Sequence, residues 1–208
     1  GFTQASPVIN INSAACNINS TVTLSSLNGN TVSVITPLCN PTQDDICSGG
    51  GLYGIEQWLY RGIVQLPTNS NCTDIVFSWG SCCRNGTITT GPSNDNFYLE
   101  ASLDNTLAEC NNSPAFNYDP TVFLCLGQEN YFNHGVTDID DDSLVFSLTA
   151  CLGNANSPVG YNPPFSGTNP LSAASPITID PATGQLNVIT TTLQVGVLCI
   201  LVEEYRNG

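Results

Sequence analysis

Apolar residues in this chain recur at every second position, and no long window repeats them at the three-to-four spacing of a helix. In Phe97–Leu103, Phe97 and Leu99 alternate with polar neighbours, and residues 56–66 and 73–79 show the same period. Turn-forming pairs rich in Gly, Asn and Pro separate these segments. The pattern predicts an all-β chain of half-buried antiparallel strands.

Short strands at this spacing are typical of β-sandwiches such as the immunoglobulin fold. Cysteine-dense sequence gives way near residues 111–114 to a segment of just under a hundred residues that resembles a self-contained sandwich. We therefore expect two antiparallel β-sandwich domains, a cysteine-rich one at 1–114 and a second at 115–208.

The charge of the chain excludes polyanionic partners. It carries 17 acidic residues against three arginines and no lysine, a formal net charge of -14. Nucleic-acid binding needs a basic surface, and so does docking on anionic lipid. The longest apolar run, residues 195–202, is far shorter than the roughly 20 residues that span a bilayer. We expect neither nucleic-acid binding nor membrane insertion of this segment.

Ten cysteines beside a single histidine, His134, indicate disulfides rather than a zinc site. Disulfides imply an oxidising compartment, either outside the cell or in a periplasm, and we expect the chain to be secreted to the cell surface. The adjacent pair Cys82-Cys83 would close a strained ring, and we expect each of the two to reach a different strand.

Two disulfide pairs are predicted among the many pairings that ten cysteines allow. Cys39 and Cys47 lie close in sequence and are expected to form a local clip. Cys151 and Cys199 are expected to join two sheets of the second sandwich.

The acidic loop, residues 138–142, is the sharpest local motif. Calcium takes oxygen ligands, and in an Asp-x-Asp-x-Asp spacing alternate side chains converge on one ion. Asp138, Asp140 and Asp142 are the predicted ligands, with calcium as the expected cofactor. The alternative is a solvated turn whose aspartates bond to their own backbone.

No catalytic signature accompanies these features, and we expect a non-enzymatic protein. His134 has no serine motif beside it and is predicted to be structural, bonded to a carbonyl. Arg84 is predicted to bind loop carbonyls, with a ligand carboxylate as the alternative. A glycosidase would need two facing carboxylates. The candidates for that least favoured function are Glu56, Glu100, Glu203 and Glu204.

Binding functions stay open as alternatives. A glycan-binding module would stack sugars on exposed aromatic residues, and Tyr60, Tyr98 and Tyr161 are the candidates. A capsid or phage-fibre subunit is a further alternative, because sandwiches of low charge also serve there.

Several strings together resemble one family, the large secreted surface proteins of Bacteroidetes that are associated with gliding motility and contain PKD- or cadherin-like modules. The strings are Tyr53-Gly54-Ile55-Glu56-Gln57-Trp58, Phe77-Ser78-Trp79-Gly80-Ser81-Cys82-Cys83-Arg84-Asn85, Tyr98-Leu99-Glu100-Ala101, Cys110-Asn111-Asn112-Ser113-Pro114, Asn133-His134-Gly135 and Leu201-Val202-Glu203-Glu204-Tyr205-Arg206-Asn207-Gly208.

The resemblance implies a fold, a route and a role. Both sandwiches would be immunoglobulin- or cadherin-like, the second cadherin- or PKD-like, and export would follow the type IX secretion pathway. The chain would act as an adhesive or structural module of a cell-surface protein or fibre, with neighbouring copies or other domains as partners, and glycans or surfaces as further ones. Members usually have a Gly where Asp141 stands. They also lack cysteines at the positions of Cys151 and Cys199, which supports a disulfide between these two residues that is particular to this chain.

The resemblance also bears on the ends of the chain. Members have strands ahead of the match to Gly1 and after the match to Gly208, so the second sandwich is expected to lack a terminal strand. In a filament assembled by strand exchange, a neighbouring subunit would supply that strand.

Overall fold

The computed structural model describes residues 5–27, 33–36, 50, 54–67, 72–106 and 110–206. The described residues contain β-strands and no helices. Every strand pair with an assigned register is antiparallel. The all-β prediction is confirmed.

The strands are numbered in chain order. They are β1 (Val8–Ser13), β2 (Ile18–Thr23), β3 (Ser25–Ser26), β4 (Ser33–Val34), β5 (Glu56–Gln57), β6 (Tyr60–Arg61), β7 (Ile75–Ser81), β8 (Phe97–Leu103), β9 (Ala115–Phe116), β10 (Asn130–Phe132), β11 (Val136–Thr137), β12 (Ser143–Thr149), β13 (Leu152–Asn154), β14 (Ser157–Pro158), β15 (Thr178–Ile179), β16 (Leu186–Val188) and β17 (Cys199–Tyr205).

The chain divides into two compact units that are not continuous segments. Unit 1 contains the described residues up to Trp79 together with Glu100–Thr106 and Thr121–Phe123. Unit 2 contains Gly80–Leu99 and most of the chain beyond residue 107. Residues 80–99 and the described residues 110–114, which the sequence assigns to the first domain, therefore lie in unit 2.

Unit 1 is built on β1, which pairs with β2 along its whole length and with β7 on its other side. Alternation along β1 turns Ile11 inward, and Ile11, Cys72 and Ile75 are fully buried. A disulfide between Cys16 and Cys72 crosses this core. Asp74 fixes the β1–β2 turn, because its carboxylate accepts the Ser13 hydroxyl at 2.5 Å and the amides that follow.

Unit 2 has its core on the sheet of β10, β16 and β15. Ile177, Leu186 and Val188 are each less than 8% exposed. The partly buried side chains around them include Phe132 and Leu148. Burial of such residues is the main term that stabilises a small β-unit.

The longest strand pair of unit 2 is β12 with β17, seven residue pairs from Ser143↔Tyr205 to Thr149↔Cys199. Period-two alternation turns Phe146 inward, where it is 4% exposed, while Val145 on the other face is 37% exposed. This register sets Leu144 opposite Glu204, directly beside the acidic loop.

The disulfides of unit 2 confirm one expectation and correct another. Cys151 is bonded to Cys199, as predicted, and this bond joins the start of β17 to the residue between β12 and β13. Cys82 and Cys83, expected to reach different strands, are bonded to each other across a cis peptide bond. The expectation of separate partners was wrong, and the two Cα atoms lie 3.1 Å apart.

Four cysteines remain. Cys110 and Cys125 are exposed and have no disulfide partner among the described residues. The predicted Cys39–Cys47 clip lies outside the described residues, so it stays a prediction.

Candidate metal centre

The acidic loop connects β11 to β12 and is organised by Asp138. One carboxylate oxygen of Asp138, Oδ1, accepts the backbone N–H groups of Asp140 at 2.8 Å and Asp142 at 3.2 Å. The chain turns at Ile139 and Asp140, and Asp141 has a positive φ of 60°. This backbone conformation suits glycine best and aspartate better than most residues.

Three carboxylates gather beside this loop. Oxygen atoms of Asp138, Asp142 and Glu204 all lie within 4.8 Å of one another. Asp138 and Asp142 come from the loop, and Glu204 comes from β17 through the β12–β17 register. Glu204, which is 62 positions from Asp142 and 66 from Asp138, thus joins the loop carboxylates in one cluster.

Burial makes this cluster costly unless a cation offsets it. The Asp142 side chain is only 5% exposed. The second carboxylate oxygen of Asp138, Oδ2, is buried and has no hydrogen-bond partner among the described residues. Buried anionic oxygens are normally satisfied by donors or by a metal.

Arg206 supplies one positive charge to the loop. Its Nη2 lies 2.6 Å from Asp142 Oδ2 and 3.3 Å from Asp140 Oδ2. The same guanidinium donates to the carbonyl of Cys110 and to the side chain of Asn111. One arginine therefore ties the end of β17 to two other segments of unit 2.

Of the three predicted ligands, Asp140 lies outside the cluster. Its carboxylate accepts the Asn112 backbone N–H at 2.7 Å and the Asn112 side-chain amide at 3.1 Å, and it is not part of the three-carboxylate cluster. Strict alternation would place Asp138, Asp140 and Asp142 together on an extended strand. The turn at Ile139 and Asp140 breaks that alternation.

Sequence reasoning did not predict that Glu204 lies in this cluster. It grouped Glu204 with Glu203 among the facing carboxylates of a hydrolase, but successive residues of a strand point to opposite faces. Glu204 is half-buried beside the loop, whereas Glu203 is exposed. Alternation in β17 indicates that Glu203 and Glu204 lie on opposite faces of the strand. Only the register with β12 shows that the face of Glu204 meets the acidic loop.

The pKa values follow from these contacts. The hydrogen bond from Arg206 lowers the pKa of Asp142. The Asn112 amides lower the pKa of Asp140. Burial raises the pKa of Glu204, and the negative charges of Asp138 and Asp142 add to this increase. The charged form of Glu204 is thus disfavoured without a further cation.

The donor set fits a hard cation. All three groups offer carboxylate oxygens, which are the ligands that calcium prefers. Zinc sites in proteins are built mainly from nitrogen and sulfur ligands. Oxygens of the three carboxylates lie within 4.8 Å of one another, close enough for one ion with calcium–oxygen distances of 2.3–2.6 Å to contact all three. The orphaned Asp138 Oδ2 could gain a partner from such an ion.

The other singled-out residues have structural roles. Arg84 is 6% exposed and lies over the Phe97 ring. Its guanidinium donates to the carbonyls of Asn96 and Leu152, which confirms the prediction that Arg84 binds carbonyls. The half-buried ring of His134 meets Phe132 edge-on at 4.7 Å between centroids. Burial lowers the pKa of His134.

The aromatic residues proposed for sugar stacking are not the exposed ones. Tyr60, Tyr98 and Tyr161 are all partly buried, and the Tyr161 hydroxyl accepts the backbone N–H of Cys151. Tyr118 and Tyr131 are exposed instead, by 63% and 62%.

No protein-family model matches the chain, and no curated protein and no solved structure is significantly similar to it. Within the described part of the chain, no helix has the length and apolar character that crossing a membrane requires.

Proposed function

We propose that this chain is a non-enzymatic, extracellular module of a bacterial surface protein or fibre, with a structural or adhesive role and a calcium ion that stiffens unit 2. The domains would be immunoglobulin- or cadherin-like sandwiches of the gliding-motility-associated type, exported by the type IX pathway. The observation that carries the proposal is the cluster of Asp138, Asp142 and Glu204, together with the buried Asp138 Oδ2, which has no hydrogen-bond partner among the described residues.

A cation at this cluster would act mechanically. It would link the loop before β12 to the last residues of β17, where Arg206 already holds Asp142. It would also neutralise carboxylates that repel one another at present. Pulling β17 away from β12 would then require breaking ionic contacts in addition to the backbone ladder.

The disulfides agree with an extracellular setting. Cys16–Cys72 and Cys151–Cys199 close loops of 56 and 48 residues, one in each unit. Such crosslinks persist in oxidising compartments and stabilise chains that must survive outside the cell.

A filament assembled by strand exchange is the second candidate. Among the described residues β17 pairs with β12 alone, in a two-stranded sheet. An exposed strand edge offers backbone groups to an added strand. Size measurements over a concentration series would separate a self-assembling subunit from a monomeric module.

Single-molecule force spectroscopy tests the mechanical role. The chain would be placed between marker domains and pulled in millimolar calcium and in chelator. We expect a higher unfolding force for unit 2 in calcium, and the same response in Glu203→Gln. Glu204→Gln is expected to unfold at one force in both solutions. Equal forces for the unmodified chain in calcium and chelator would refute the proposal.

A further inference from the structure

The outer face of the β10–β16–β15 sheet presents one cross-strand row that the core does not use. Tyr131 lies opposite Asn187, and Asn187 lies opposite Thr178. The neighbouring row, which contains Leu186, points into the core of unit 2. Alternation thus separates a buried apolar face from an outer face with one aromatic ring and several polar groups.

Glu129 completes this row. The Asn187 amide donates to Glu129 Oε1 at 3.2 Å. The Tyr131 hydroxyl also donates to the Glu129 carboxylate. This interaction raises the pKa of Tyr131 and lowers the pKa of Glu129. Tyr131 is 62% exposed. The result is an exposed aromatic ring beside an ionised carboxylate and an amide.

The turn before Tyr131 is also held in place. The Asn130 side chain accepts the N–H of Cys125 at 2.8 Å and donates to the carbonyls of Cys125 and Gln128. The N–H of Gly127 donates to the carbonyl of Thr190 in the segment that follows β16. Little conformational freedom would be lost at this surface on binding, which favours affinity.

We propose that Tyr131, Glu129, Asn187 and Thr178 form a binding site for a neutral sugar residue of a polysaccharide. The apolar C–H face of a pyranose would pack on the Tyr131 ring, since tyrosine offers a large rigid contact area at low entropic cost. The carboxylate oxygens of Glu129 would accept adjacent sugar hydroxyls. The Asn187 amide and the Thr178 hydroxyl would add neutral donors and acceptors along the row.

Charge selects the ligand class. A net charge of -14 and the ionised Glu129 repel anionic polysaccharides. A cationic side chain would gain from the ring and the carboxylate, but it would make no use of the amide and hydroxyl that extend the row. A neutral polyhydroxyl ligand uses all four groups. The adhesive part of the proposed function gives this site its setting, and the calcium cluster plays no part in it.

The test measures binding of the full chain to immobilised neutral oligosaccharides, namely β-glucan, α-glucan, mannan, xylan and galactan series, followed by calorimetry on any that bind. Tyr131→Ala is expected to weaken binding about tenfold or more. Tyr131→Phe is expected to lose less, because the ring remains. Tyr118→Ala removes an equally exposed ring that lies outside this sheet and is expected to bind like the unmodified chain.

Three outcomes would overturn the site. They are no binding to any neutral oligosaccharide, equal binding by Tyr131→Ala and the unmodified chain, and binding of a polylysine peptide in place of sugars. The assay is run in calcium and in chelator with circular dichroism of each variant. Loss of sugar binding is thus measured separately from the calcium-dependent mechanics.

Discussion

Arg206 holds Asp142 through two parallel hydrogen bonds, 3.0 Å from Nε to Oδ1 and 2.6 Å from Nη2 to Oδ2. The two residues are 64 positions apart, at the end of β17 and just before β12. A planar guanidinium matches a carboxylate in this paired geometry, which an ammonium group cannot reproduce. The pair thus closes the end of the strand ladder that would bear load.

Replacing Arg206 tests this closure. Arg206→Lys is expected to lower the Tm of the chain, because lysine keeps the charge but loses the paired geometry and the bonds to Cys110 and Asn111. Arg61→Lys is the matched control, since Arg61 is exposed and has no ion pair in the described structure. Equal Tm shifts in the two variants, by differential scanning calorimetry, would contradict the assigned role.

The carboxylates predict a pH dependence of stability in chelator. The pKa of Asp142 is lowered in the folded chain, so its contribution is present above the ordinary value of 3.8 and is lost as pH falls below it. The pKa of Glu204 is raised, so its charge opposes folding at neutral pH, and this cost is relieved as pH falls toward 4.5.

Unfolding curves from pH 7 to 3 should therefore show a small rise in Tm toward about pH 5 and a fall below about pH 4. Glu204→Gln should remove the rise and keep the fall. A Tm that decreases steadily from pH 7 in both proteins would argue against the raised pKa of Glu204.

Gly91 is predicted to be irreplaceable in unit 2. It has a φ of 154°, and a Cβ there would lie 2.6 Å from the backbone Cα of Tyr161. Gly91→Ala should lower the free energy of unfolding by about 2–4 kcal/mol, since backbone and not a movable side chain blocks the space. Gly127→Ala has a positive φ but open space, and about 1 kcal/mol is expected. Urea unfolding measures both, and similar losses would contradict the packing described for Gly91.

The covalent connectivity is open to direct mapping. Peptic digestion without reduction, followed by mass spectrometry, should give Cys16–Cys72, Cys82–Cys83 and Cys151–Cys199. Alkylation of the native chain should label Cys110 and Cys125. Removing either long-range disulfide is expected to cost about 2–5 kcal/mol. Recovery of Cys82 or Cys83 bonded to any other cysteine would overturn this map.

Alternation in the sequence predicted two of the long strands. Phe97–Leu103 is β8 with the bounds that the pattern gives, and the predicted segment 73–79 overlaps β7. The same pattern failed at 56–66, where only two-residue strands form and Ile63 is 85% exposed. A strand also needs partner segments that share its backbone hydrogen bonds, and the local sequence pattern does not show which segments pair.

The candidate site shows the same limit. The acidic loop was visible as a string of aspartates, and two of its three predicted ligands lie in the cluster. Asp140 lies outside the cluster because a local turn overrides alternation, and the place of Glu204 was not predicted because strand register is a long-range property. Local patterns therefore located the loop, and only pairing across 60 or more residues completed it.

Thermal unfolding with and without calcium tests the central claim most directly, using the unmodified chain, Glu204→Gln and the control Glu203→Gln at pH 7. We predict that millimolar calcium raises the Tm of the unmodified chain and of Glu203→Gln and leaves Glu204→Gln unchanged. In chelator, Glu204→Gln should be at least as stable as the unmodified chain, because it removes a disfavoured charge. A Tm of the unmodified chain that does not respond to calcium, or an equal response of all three proteins, would contradict the account.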